Sequence, residues 1–289
     1  MDCHVCMIDA DSTAITGVSF TENTGYVIRE YKKLQAGLGA YRGSGKERAV
    51  SRLASFLTKK KIRSLVLVIH PETFFPLDTY CPETLSGQDF DSHCRTESTF
   101  LFHKPGEFRY DHIPYIRETT EGTIQKHLLF YYSAEIPETL QENLRSCCVL
   151  KRTALYLTPL IRSIAAASNP FVLLEIDNRH ATCSAGINGE LEYFSYWRFN
   201  HHSDAEYFAL RELLLNPKYR DYPIYTTGSL TMKSPLVKKL SEETNRTLQP
   251  YNPVSMLTLE NGTRFPSASQ AETKAFCAAF DFLHHEAEL

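Results

Sequence analysis

The chain lacks any apolar run approaching the ~20 residues that a bilayer-spanning helix needs. Its longest, Ser64 to Ile69 and Phe171 to Ile176, are of strand length, so the sequence predicts a soluble protein. It also lacks an excess of charge, since 31 Lys+Arg against 34 Asp+Glu give a net charge of -3. Without a basic field to gather phosphate backbones or anionic lipid, nucleic-acid binding is disfavoured, RNA binding through exposed aromatics included. No HExxH or GxSxG motif occurs and no cysteine sits in a nucleophile signature, so no catalytic residue is assigned. A basic start leading into an apolar stretch is missing too, because MDCHVCMIDAD places acids at positions 2, 9 and 11. The expected compartment is the cytoplasm, and the eight cysteines read as reduced thiols. Cys3 and Cys6 have knuckle spacing, but in an extended strand they face opposite sides and cannot close on one ion. No metal ligand set is assigned.

What is present points to a packed fold. With 289 residues, 43% hydrophobic and 22% charged, the chain has ordinary globular composition and enough length for two lobes. Its most informative feature is an internal repeat. HVCMIDADSTAITGVSF and FVLLEIDNRHATCSAGI each begin with an apolar strand ending in Ile-Asp, turn through polar residues, and continue into a second strand. In the second copy Asn188-Gly189 signals a two-residue hairpin into a third strand, Glu190 to Phe199. Helical spacing follows over Asp204 to Leu215, then a strand Tyr222 to Thr226, a helix Ser234 to Glu243 with Pro235 in its first turn, and a last helix Gln270 to His284. The first copy repeats that order: strands Val5 to Asp9, Ala14 to Phe20 and Tyr26 to Lys33, a helix Glu47 to Lys59, and the apolar strand Leu65 to His70.

Between the copies, Pro71 to Ala167 is too long for a loop and reads as an inserted subdomain plus a connecting helix over Thr153 to Ala167. Lys126 to Ser133 reads as a strand and Pro137 to Arg145 as a helix within it. The expected organisation is a first lobe over 1–70, an inserted α+β subdomain over 71–150, and a connecting helix and second lobe over 151–289. Aromatic pairs such as Tyr193-Phe194, Tyr196-Trp197, Tyr131-Tyr132 and Phe74-Phe75 point to both faces of their strands, and are expected to fill contacts between the lobes or to form a protein-binding patch.

A duplicated strand-strand-strand-helix-strand unit with an acid at the tip of its first strand resembles the ribonuclease H-like lobes of the actin-like ATPase superfamily. The insertion looks most like that of the PilM/GspL branch. The stretch from Leu191 to Ser229 is similar to a bacterial family of unknown function assigned to this fold. The resemblance implies an α/β fold of two lobes, each a mixed sheet with helices, and a cleft between them that in active members holds Mg-ATP. In those members each first-strand turn reads Asp, any residue, Gly, because a Cβ would obstruct the approaching phosphates. Here the turns are Asp9-Ala10-Asp11-Ser12 and Asp177-Asn178-Arg179-His180, and the adenosine-side Gly-Gly is Thr227-Gly228-Ser229. If nucleotide binds, the resemblance places it on Asp9, Asp11, Ser12, Asp177, Asn178, Arg179, Gly228 and Ser229.

Both lost glycines argue against nucleotide, and Asp11 should repel a triphosphate. The expectation is therefore a non-catalytic scaffold with no cofactor and another protein as partner, in which Arg179 pairs with Asp9, Asp11 or Asp177 across the cleft. The alternative is an ATPase or kinase using Asp9 and Asp177 with magnesium. A second glycine-rich stretch, Ala40 to Glu47, departs from a phosphate-binding loop at both ends, where Ala40 replaces the first glycine and Glu47 the hydroxyl. It reads as a loop capping a helix.

Overall fold

The two Ile-Asp strands lie in two different sheets, each at the position the repeat requires. A computed structural model describes residues 2–81, 85, 87–119, 122–229, 235–253, 257–259 and 269–287. Within the first copy, β1 (Asp2–Ile8), β2 (Thr13–Thr21) and β3 (Gly25–Leu34) form an antiparallel meander. Helix α1 (Lys46–Lys59) then returns the chain to β4 (Ser64–Ile69), which runs parallel to β1. The intervening segment supplies β5 (Phe74–Thr79), α2 (Gly87–Leu101), β6 (Phe108–Thr119), β7 (Gly122–Ser133), α3 (Glu135–Leu144), β8 (Val149–Leu155) and α4 (Leu157–Ala165). The second copy repeats the meander as β9 (Phe171–Ile176), β10 (His180–Ile187) and β11 (Glu190–Arg198). It continues through α5 (His202–Leu215) to β12 (Ile224–Gly228), parallel to β9. Helix α6 (Pro235–Thr244), β13 (Leu248–Pro250), β14 (Leu257–Leu259) and α7 (Gln270–Ala287) complete the chain.

Among the described residues the sheets are ordered β14-β3-β2-β1-β4-β8 and β13-β12-β9-β10-β11-β6-β7-β5. The shared core order, third-second-first-fourth strand, makes β1 and β9 equivalent. Turn chemistry supports it, since Asn188 and Gly189 take φ of 56° and 86°, the left-handed pair that a tight hairpin needs. Helix α1 forms where Ala49, Val50, Leu53 and Leu57 recur at helical spacing and are buried, with Glu47 in its first turn and Lys59 in its last matching the helix dipole.

Three features depart from the sequence reading. Residues 153–155, expected to open the connecting helix, instead end β8, because the free edge of β4 offers a parallel partner from Ser64↔Val149 to Ile69↔Leu155. Non-local pairing overrides local helical spacing here, and the helix starts only at Leu157. The segment 71–150 makes no sheet of its own among the described residues, since β5, β6 and β7 extend the second sheet through β6 on β11. Finally, the tail returns to the first lobe: β14 pairs with β3, and α7 lies on β1 and β2.

Period-two alternation sorts the strand residues between cores. Cys6 and Ile8 of β1 face α1 and α3, whereas Cys3, Val5 and Met7 face a core shared by both lobes with Phe171 and Leu173 of β9 and apolar residues of α4 and α7. Cys3 and Cys6 therefore do lie on opposite faces, and all eight cysteines are free thiols. Phe74, Phe130, Tyr132, Phe194 and Tyr196 sit in or against the shared core, so much of the aromatic excess fills the junction between lobes. No helix among the described residues is long and apolar enough to cross a membrane.

Candidate functional site

Asp9 and Asp177 follow directly after β1 and β9, at the carboxyl ends where open α/β sheets place their ligand sites. Each acid orders its own turn. Asp9 Oδ1 accepts the Ala10 N–H at 2.8 Å, and Asp177 Oδ1 accepts the Asn178 N–H at 2.7 Å. The backbone N–H of Asp9 donates to Ser12 and that of Asp177 to His180, both at 2.9 Å.

His70 stands between the two acids. It is the first residue after β4, and its backbone N–H donates to the Ile8 carbonyl at 2.9 Å, which fixes the ring beside the end of β1. Its Nδ1 lies 2.7 Å from Asp9 Oδ1 and its Nε2 2.9 Å from Asp177 Oδ2. Lys274 enters from α7, with Nζ 2.6 Å from His70 Nδ1 and 3.7 Å from both Asp9 Oδ2 and Glu175 Oε1. The same ammonium sits 4.3 Å from the centroid of the Tyr156 ring, a cation–π contact. The Tyr156 hydroxyl donates to Glu175 Oε2 and lies 2.9 Å from His180 Nε2. Glu175 is 0% exposed and Lys274 1%, so these charges interact at low dielectric.

The electrostatics follow from that geometry. Burial would raise the carboxyls of Asp9 and Asp177, but Lys274 and His70 outweigh it and hold both well below the usual carboxylate range. Burial raises Glu175 as well, and the hydrogen bond with His180 and the Lys274 charge reverse this to a net lowering. For His70, burial and Lys274 press the proton off, yet its hydrogen bonds with Asp177 and Asp9 prevail and raise its pKa. Nδ1 cannot both donate to Asp9 and accept from Lys274. Asp9 and Lys274 therefore compete for that nitrogen, and Lys274 is held as well by the carboxylates of Asp9 and Glu175.

The residues expected from sequence fare differently. Asp9 and Asp177 converge, whereas Asp11, Asn178 and Arg179 are exposed and Ser12 is buried beneath its turn. Arg179 does not pair with Asp9, Asp11 or Asp177. Its ion pair is with Glu72, at 3.8 Å between exposed side chains, and charge compensation in the cleft falls to His70 and Lys274. Gly228 has a structural duty. Its φ is +97°, and a Cβ there would lie 2.2 Å from the Ile176 carbonyl oxygen. Its N–H and the Thr227 hydroxyl both donate to Gln270 Oε1 at 3.2 Å, while Ser229 Oγ donates to the Ile176 carbonyl at 3.3 Å. Gly228→Ala is therefore expected to cost about 3 kcal/mol in urea unfolding, from positive φ plus a backbone clash. A loss below ~1 kcal/mol would show that the two strand ends are not so closely apposed.

Sequence reasoning missed His70, Tyr156, Glu175, His180 and Lys274. Glu175 carried a signal, being a charge on the same strand face as Phe171 and Leu173. Lys274 carried another, as a cation between Ala271 and Ala278 on a buried helix face.

No family model and no curated protein matches the sequence. Solved structures do match. A PilM-PilN type IV pilus biogenesis complex superposes with a TM-score of 0.66 at 15% identity, covering 100% of this chain and 98% of that one. A Bacteroides thetaiotaomicron protein described as having an actin-like ATPase fold and unknown function superposes at 0.54 and 13% identity, covering 87% and 91%. With two equivalent lobes and acids at matching strand ends, the chain has the actin-like ATPase fold.

Proposed function

We propose that this chain is a non-catalytic cytoplasmic scaffold that binds another protein, its nucleotide cleft retired and closed by its own side chains. One observation carries the reading: His70 bridges Asp9 and Asp177, the two acids that would otherwise face a magnesium nucleotide. Lys274 lies beside that bridge as a built-in cation. Support also comes from the Gly228 N–H, which is taken up by Gln270, and from the similar PilM structure, a complex with PilN.

The competing assignment, an ATPase or kinase using Asp9 and Asp177 with Mg-ATP, requires His70 and Lys274 to withdraw from the acids. Mg-ATP is expected to leave the melting temperature unchanged, since only a ligand of the native state stabilises it by mass action. Phosphate release is expected to equal that of an Asp9→Ala/Asp177→Ala control. Turnover abolished by either single substitution would replace the scaffold with an enzyme.

A further inference from the structure

We propose that the junction between the lobes is a binding site for one divalent transition-metal ion of the zinc type, ligated by His70 from the first lobe and Glu175, Asp177 and His180 from the second. The inference holds whether or not the chain is a scaffold. One donor atom from each of these four side chains lies within 4.8 Å of every other. Ligands about 2.1 Å from a tetrahedral ion stand about 3.4 Å apart, and the observed separations bracket that value. His70 Nε2 and Asp177 Oδ2 are 2.9 Å apart, and His180 Nε2 and Glu175 Oε2 3.7 Å.

Three further observations point to a ligand. Glu175 Oε1 is buried and accepts no hydrogen bond, with the Lys274 ammonium 3.7 Å away. A carboxylate this deep with an oxygen lacking a donor is short of a partner. Behind His70, Asp9 Oδ1 lies 2.7 Å from Nδ1. That is the arrangement in which a carboxylate holds the rear N–H of a metal-bound imidazole and turns the other nitrogen's lone pair toward the ion. Charge gives the third. Asp9, Glu175 and Asp177 bring three negative charges against Lys274 and the imidazole of His70. Even with His70 cationic one negative charge is left over, and a divalent ion taking the place of the His70 Nε2 proton closes that balance.

The donor set selects the ion. Two imidazoles with two carboxylates suit zinc, cobalt or ferrous iron, whereas magnesium and calcium take oxygen ligands. The Tyr156 hydroxyl, shared between Glu175 Oε2 and His180 Nε2, is the group the ion displaces. Because its ligands come from both lobes, the ion would fasten the cleft shut.

The test is titration of the chelator-treated, full-length protein with Co2+ as spectroscopic probe, with Zn2+ competition. One Co2+ per chain is expected, with visible bands of a four-coordinate nitrogen and oxygen site, displaced by Zn2+. His180→Ala and Asp177→Asn should each weaken binding by about 100-fold. His180 is buried, so the partly exposed Asp177→Asn serves as the variant that keeps its fold, checked by circular dichroism. Zn2+ should raise the melting temperature of the native protein and of neither variant. Failure to take up stoichiometric Co2+, thiolate charge-transfer bands, or Co2+ affinity unchanged in folded Asp177→Asn would each overturn the proposal. The nucleotide experiment is read without added transition metal, so the two results stand apart.

Discussion

Lys274→Met is expected to lower the unfolding free energy by about 3–5 kcal/mol, the cost of leaving buried carboxylates without their cation. Methionine keeps most of the volume on α7 and the packing over Tyr156, so the loss reports charge rather than a cavity. Glu175 suffers most, because it is fully buried and Lys274 is the ammonium beside it. Urea unfolding of the metal-free protein measures the effect, and Glu175→Gln in the same background should recover part of it, since the two residues share one interaction. A cost below ~1 kcal/mol would mean that water already screens the cleft and that Lys274 behaves as a surface lysine.

Stability should also peak in mildly acidic solution and fall on both sides. Asp9 and Asp177 are held below their ordinary value of 3.8. Each contributes stability present above that value and lost as pH falls toward its folded one, about 1.4 kcal/mol per pH unit for each carboxylate. His70 has the opposite sign. Its pKa is raised above 6.5, so its contribution is full below 6.5 and lost as pH rises through the folded value. Urea unfolding in the presence of chelator, between about pH 3 and pH 8, gives the profile. Asp177→Asn should remove about 1.4 kcal/mol per pH unit from the acid limb and shrink the alkaline limb, because His70 loses one of its two carboxylates. An unchanged acid limb in that variant would show that Asp177 titrates as a free carboxyl.

The repeat was legible because its signals are local. Apolar strands ending in Ile-Asp, the Asn188-Gly189 turn and the spacing of Val50, Leu53 and Leu57 each act within a few residues. What could not be read depends on partners far along the chain. Residues 149–155 become a strand only because β4 has a free edge, and β5 to β7 join the second sheet through β11. Of the site, the two acids were visible by repetition and their compensation was not. Arg179, the arginine nearest in sequence to Asp177, pairs instead with Glu72. His70 is brought in by the parallel register of β1 and β4, and Lys274 by a helix 204 positions from the imidazole it touches.

The return of β14 and α7 to the first lobe also sets an order on biosynthesis. Domains ordinarily fold as they leave the ribosome, amino-terminal part first. Here the lobe that emerges first cannot finish first, because the outer edge of β3 and the apolar face of β1 and β2 wait for segments made after the second lobe. Until α7 emerges, Asp9 and Glu175 also lack their ammonium. A nascent chain halted before residue 257 carries an open sheet edge and an acidic cleft without its ammonium, a form prone to pairing with other chains and in need of chaperone shelter.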